Sequence, residues 1–224
     1  GSLLSMINSF AHAGSIELNE EAEGIFREIL HYHKLTGGYF DISLKPVADH
    51  YRDSAEQRIP LPGNVRQQVG MDKIILEPGR IRLAGKGVRL DLGGYGKGYA
   101  IRCLLPILDE HDIAHALLSF GESLVYARGT HPYGDCWKIT LPAGEGGSRE
   151  VNLVNQALST SGNSLNNRKK FAISGHIVNP LTLEMCTRMG QVSVVSDDPV
   201  RCEVYSTALF SAGHGNFPDT AGED

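Results

Sequence analysis

Apolar positions along the chain change period several times, and each change marks an element. Residues 18–38, "LNEEAEGIFREILHYHKLTGG", carry Ile25, Phe26, Ile29 and Leu30 at helical spacing, which predicts an amphipathic helix. Asn19 is placed to cap it, Glu20, Glu21 and Glu23 suit the positive end of its dipole, and Gly37-Gly38 end it. "YFDISLKPV" (39–47) reads as a short strand or a loop entering the core, and residues 48–70 read as polar loops around Pro60, Pro62 and Gly63. Residues 73–92 switch to period two, with "RIRL" and "VRLDL" alternating and Pro78-Gly79 supplying a hairpin turn. "GYAIRCLLPILDEHD" (98–112) returns to helical spacing, with Pro106 expected to kink or shorten it.

Strands are expected at 113–120, 123–129, 136–141, 157–164, 174–180 and 191–196, with a flexible turn at 143–150. A last helix is expected over 199–213, opened by Pro199 and stopped by Gly213, followed by a polar, frayed tail. Strands in hairpins with helices interleaved predict an α+β fold with mainly antiparallel sheets.

Composition narrows the function without choosing it. The chain has 224 residues and a net charge of −5 with no basic block, which argues against nucleic acid as a partner. No apolar run approaches the ~18 residues of a membrane span, and the leading Gly1-Ser2 has the look of a cloning remnant. Cys103, Cys136, Cys186 and Cys202 are scattered without a CxxC pair, so they read as free thiols rather than a zinc site or disulfide framework.

Candidate chemistry gathers where glycines interrupt the elements. "DLGGYGKGYA" (91–100) sets Gly93, Gly94 and Gly96 between a strand-like run and a helix. Such a turn can offer bare N–H groups and a helix start to a phosphate, with Lys97 adding charge, or can be a tight connection with no ligand. "SFGES" (119–123) and "STSG" (159–162) are small-residue loops of the same kind. His176 in "GHIVNP" is placed for acid–base work, though most histidines in a chain with nine do none. Glu203 and Thr207 stand four apart on the last helix. Their oxygens suit Mg²⁺ and suit zinc poorly, but such pairs are also common on plain helix faces.

Taken in order, these segments resemble the FAD:protein FMN transferase family, the ApbE-like flavin transferases. "TGGYFDISLKPV" is similar to the family's TGGxFDxTxxPL, and "VGMDKIIL" with "VRLDLGGYGKGYA" to its VGxxxV and LDLGGxAKGYA blocks. "ALLSFGESLVYARG" resembles ALxxxGGxxxxxG, "ALSTSG" followed by "HIVNPLT" resembles ATSG followed by HIIDPRTG, and "CEVYSTALFSAG" resembles ADxxATALFxxG. The resemblance implies an ApbE-like fold and an Mg²⁺-dependent transfer of FMN from FAD to a threonine hydroxyl of an acceptor flavoprotein, a redox enzyme subunit or domain, with AMP leaving.

It also implies roles. His176 falls on the catalytic base. Gly94 through its carbonyl, Glu203 and Thr207 fall on the metal ligands. Tyr39, Phe40, Asp41, Asp91, Lys97 and Ile177 fall on positions that touch FAD. A non-catalytic FAD-binding protein and an Mg²⁺-dependent FAD pyrophosphatase are the rival readings. The chain departs from the family's pattern at Glu203 for Asp, Asn179 for Asp, Lys45 for Gly, Arg102 for Asp, and Glu122-Ser123 for Gly-Asp. The match sets a flavin transferase domain at 18–213, between an N-terminal segment (1–17) shortened relative to the family and a C-terminal tail (214–224). Bacterial cytoplasm and periplasm both remain open as compartments.

Overall fold

The computed structural model describes residues 1–54, 60–121, 123–143, 146–163, 177–213 and 217–218. The chain forms two compact units, the first from Gly1–Leu92, Asn163–Arg188 and Ser211–Asp224, the second from Gly93–Gly162 and Met189–Phe210.

The first unit begins with helix α1 (Leu3–Phe10) and strand β1 (Ile16–Glu17). Helix α2 (Glu20–Leu35) follows, capped as expected: the Asn19 side chain accepts from the Ala22 N–H at 2.9 Å. Gly37 and Gly38 end it at φ +59° and +87°, the left-handed values that favour glycine. A 3₁₀ turn (Ile42–Leu44) leads into helix α3 (Lys45–Asp53), and α4 (Gly63–Arg66) precedes the β2 (Ile74–Glu77) and β3 (Arg80–Leu83) hairpin. The sheet order is β1-β3-β2, antiparallel throughout. Along β3, Ile81 and Leu83 are buried while Arg80 and Arg82 are exposed, the period-two pattern read from "RIRL".

Three expectations for this unit are corrected. Residues 45–53 are a helix, not strand or polar loop: Pro46 sits in its first turn, where no N–H is needed, and Val47 is its fully buried anchor. "VRLDL" is not a strand. The Asn8 side chain takes both backbone groups of Leu90, accepting from its N–H at 2.7 Å and donating to its carbonyl at 2.9 Å. The Asp91 N–H goes to the Ile42 carbonyl at 2.8 Å. With those groups satisfied, no neighbouring strand is required. Of 174–180, residues 174–176 lie outside the described residues, and the remainder makes one isolated bridge, Val178 to Met185.

The second unit opens with α5 (Gly96–Glu110). Pro106 lies within it and does not end it; one missing backbone bond near the last turns is outweighed by the rest of the helix. Strands β4 (Ala116–Phe120), β5 (Leu124–Arg128), β6 (Trp137–Pro142), β7 (Ser148–Leu153), β8 (Gln156–Asn163) and β9 (Gly190–Ser196) follow. Helix α6 (Pro199–Ala212) comes last. The main sheet runs β4-β5-β8-β9, and β6 pairs with β7 antiparallel.

Parity sorts the faces of that sheet. Leu124, Tyr126 and Ala157 pack with Ile101 of α5 and Cys202 of α6, whereas Ala127 and Leu158 pack with Leu153, Trp137 and Ile139 of the β6–β7 pair. The unit therefore layers helices, sheet and hairpin, with both sheet faces covered. Strand β7 is an addition: residues 148–150 were expected in a turn, but they pair with Thr140, Leu141 and Pro142. Their polar composition suits the outer face of a two-stranded ribbon.

Candidate functional site

Helices α5 and α6 carry the densest set of candidate residues, and the reason is their close approach. At Gly98 a Cβ would lie 2.5 Å from the Pro199 carbonyl oxygen and 2.7 Å from the Val200 Cα. Only glycine fits there. A bidentate pair ties the helices further along: Arg102 donates to both Asp198 carboxylate oxygens, at 2.9 and 2.8 Å. Asp198 in turn accepts from the Val200 N–H at 2.9 Å, capping α6. Arg102 thus fixes the start of α6.

The approach buries the Glu203 carboxylate, whose side chain is 2% exposed, at the beginning of α5. One oxygen, Oε2, accepts from the Gly98 N–H at 2.7 Å; the other, Oε1, pairs with the Lys97 ammonium. Lys97 also donates to the Gly93 carbonyl at 3.2 Å. Tyr95, in the N-cap position of α5, contributes no side-chain cap. Glu203 fills that need from another element, and the helix dipole favours its negative charge.

Thr207 stands one turn beyond Glu203 on α6, among hydroxyls. Its Oγ1 lies 3.2 Å from Ser161 Oγ. Ser161 and Ser159 each lie 2.9 Å from Ser206 Oγ, and Ser206 donates to the Glu203 carbonyl at 3.0 Å. "STSG" lies within the strand expected over 157–164, not in a small-residue loop. It belongs to β8, whose alternation turns Ser159 and Ser161 toward α6 together. Sequence reading missed this hydroxyl set, because nothing local in "STSG" names its partner on a helix more than forty residues on.

The donors suit one metal class. Among the described residues no group of three or more His, Cys, Asp or Glu could hold a metal ion. A cation at Glu203 would have one carboxylate, a hydroxyl and backbone or substrate oxygens. That sparse oxygen set fits Mg²⁺, which keeps waters and phosphate oxygens in its shell. The cysteines are all free thiols; burial pushes Cys202 up to about 12, and its thiol donates to the Val194 carbonyl at 2.8 Å.

The remaining candidates belong to the first unit, except His176 and Glu122, which lie outside the described residues. Tyr39 and Phe40 are buried, and the Tyr39 ring stacks on Phe217 with centroids 6.3 Å apart. The segment is held rigidly: Thr36 accepts from the Phe40 N–H at 3.0 Å, and His33 Nδ1 lies 2.7 Å from the Phe40 carbonyl. Asp41 caps the 3₁₀ turn, accepting from both the N–H and the hydroxyl of Ser43 at 2.6 Å. The Asp91 backbone bond to Ile42 brings Asp91 beside this segment.

Ile177 is buried, and its carbonyl accepts from the Cys186 N–H at 2.8 Å. Asn179 folds the following turn, accepting from the N–H groups of Leu181 and Thr182 and donating to the Ser211 carbonyl at 3.1 Å. An ionised Asp could not make that donation.

A family model described as the ApbE family matches residues 1–223. The chain belongs to the ApbE family. The FAD:protein FMN transferase of Haemophilus influenzae is 24% identical over 226 residues, 92% of this chain and 64% of the relative. That of Chlamydia pneumoniae is 26% identical over 204 residues, 88% of this chain and 62% of the relative. The chain thus spans less than two thirds of these ApbE relatives. Among solved structures, the flavinyl transferase ApbE of Pseudomonas stutzeri superposes with a TM-score of 0.80 at 20% identity, covering 94% of this chain and 68% of that one. The ApbE protein of Thermotoga maritima gives 0.79 at 22%, covering 94% and 71%. The mixed α+β architecture is the ApbE fold.

Proposed function

We propose that this ApbE-family chain is an Mg²⁺-dependent FAD:protein FMN transferase acting on a threonine of a partner flavoprotein. The observation that carries the reading is the oxygen pair Glu203–Thr207, one turn apart on α6: the Glu203 carboxylate meets the start of α5 beside Lys97, and the Thr207 hydroxyl lies beside Ser161 of β8. Family membership and the curated names of its relatives support the activity.

Mg²⁺, held by Glu203, Thr207 and the Gly94 carbonyl, would neutralise charge on the FAD pyrophosphate. Lys97 and the positive end of α5 favour the same anion. Tyr39, Phe40, Asp41, Asp91 and Ile177 would contact FAD. His176 takes the proton of the threonine hydroxyl as its oxygen bonds to the FMN phosphorus. The bond to the AMP phosphate breaks, and AMP departs with the electron pair.

The test is incubation of the purified chain with FAD and Mg²⁺, with and without an acceptor domain bearing a target threonine, followed by intact mass. The acceptor should gain one FMN, and EDTA or His176→Ala should abolish the gain while FAD still binds. Free FMN and AMP without acceptor would replace transfer with hydrolysis. FAD retained intact would reduce the chain to a binding protein.

A further inference from the structure

We infer that Ser161 is a positioning residue that turns the Thr207 hydroxyl into an acceptor-only group, ready to ligate a divalent cation. The inference depends on Thr207 being a metal ligand, as proposed above, and goes beyond it by assigning the group that sets its proton.

The deduction is a proton count. A hydroxyl has one proton to donate and two lone pairs to accept with. The Glu203 backbone carbonyl can only accept, so the Ser206 proton is committed to it, at 3.0 Å. Ser206 then has only lone pairs left for its other two neighbours, Ser159 and Ser161, each 2.9 Å away. Both must donate to it. The Ser161 proton is thereby spent, and its contact with Thr207 at 3.2 Å runs the other way, with Thr207 donating.

The chain of protons is Thr207 to Ser161 to Ser206 to the Glu203 carbonyl. Ser206 is fully buried and Ser159 nearly so, so water does not compete at the fixed end. Thr207 is left with its proton drawn toward β8 and its lone pairs available. A neutral hydroxyl ligates Mg²⁺ through a lone pair, and a proton pointing at the ion would repel it. Outer partners that orient metal ligands in this way typically change affinity about 10–100-fold when removed.

The test uses Mn²⁺ alone as the probe, titrated into the wild-type chain and read by the electron paramagnetic resonance of free Mn²⁺. Ser161→Ala should weaken Mn²⁺ binding about tenfold with thermal unfolding little changed, and Ser161→Thr, which keeps the hydroxyl, should restore it. Thr207→Val is the control that separates the two claims. If Thr207→Val weakens Mn²⁺ binding and Ser161→Ala does not, the orienting role is overturned and the metal site stands. If Thr207→Val binds Mn²⁺ like wild type, the metal assignment falls and this inference with it.

Discussion

Glu203 serves two purposes through two oxygens. Oε2 reaches the Gly98 N–H at the start of α5 while Oε1 carries the charge facing Lys97. Two substitutions separate these jobs. Glu203→Gln retains an oxygen for the Gly98 N–H but removes the anionic charge. It should keep the fold and weaken Mn²⁺ binding by at least roughly the 10–100-fold seen for outer-partner changes. Glu203→Ala loses the cap as well, leaving a buried N–H without its acceptor. It should be less stable than Glu203→Gln by about 1–2 kcal/mol in urea unfolding. Equal stability of the two variants would show that the cap contributes nothing. The i, i+4 spacing of Glu203 and Thr207 was legible in the sequence, because helical periodicity is local. The Gly98 partner was not, since it depends on two helices meeting from positions about a hundred residues apart.

At the scale of elements, the contact of α5 with α6 holds the site, and Gly98 sets its distance. The atoms an added Cβ would strike are backbone, the Pro199 carbonyl and the Val200 Cα, so no side-chain rotation relieves the clash. Gly98→Ala should therefore force the helices apart despite alanine's better helix propensity, costing about 1–3 kcal/mol in urea unfolding. Cation affinity should fall with it, because Lys97 and the Gly98 N–H lie on one helix and Glu203 on the other. A neutral or stabilising Gly98→Ala would mean that the helices can separate freely. The elements read correctly from sequence, α2, α5, α6, the β2–β3 hairpin and strands β4, β5, β6, β8 and β9, are those whose own periodicity and terminal signals mark them. The misread ones are those whose partners decide them. Helix α3 has a short, mostly polar face; β7 exists through its pairing with β6; Leu90 lies outside any strand, with a side chain, Asn8, taking both of its backbone bonds. The strand holding Ser159 and Ser161 is expected from sequence and present as β8, but the strand pattern gives no local sign of the helix their hydroxyls meet.

At the scale of the whole chain, each unit is assembled from segments far apart in sequence, so its stability depends on non-local ties. Asp49 makes such a tie within the first unit. Its buried carboxylate pairs with Arg52 at 2.6 Å and Lys45 at 3.4 Å on its own helix, and with Arg89 at 2.7 Å from the segment after the β2–β3 hairpin. This pairing gives Lys45 a structural use. Burial by itself would raise the Asp49 pKa, but the Arg52 hydrogen bond and the charges of Lys45, Arg89 and Arg52 outweigh it and hold the carboxyl below its ordinary value. A carboxylate whose folded pKa is depressed stabilises the fold fully above its unfolded pKa of about 3.9, and that contribution drains away as pH falls through the folded value. Asp49→Asn removes it. Wild type should therefore be more stable than Asp49→Asn near neutral pH, and the difference should shrink as pH falls below about 4. Chemical unfolding of both proteins from pH 7 down to pH 3 measures that difference directly. If it were the same at every pH, Asp49 would be acting through shape and hydrogen bonding alone, and its cluster of three cations would contribute no net charge stabilisation to the unit.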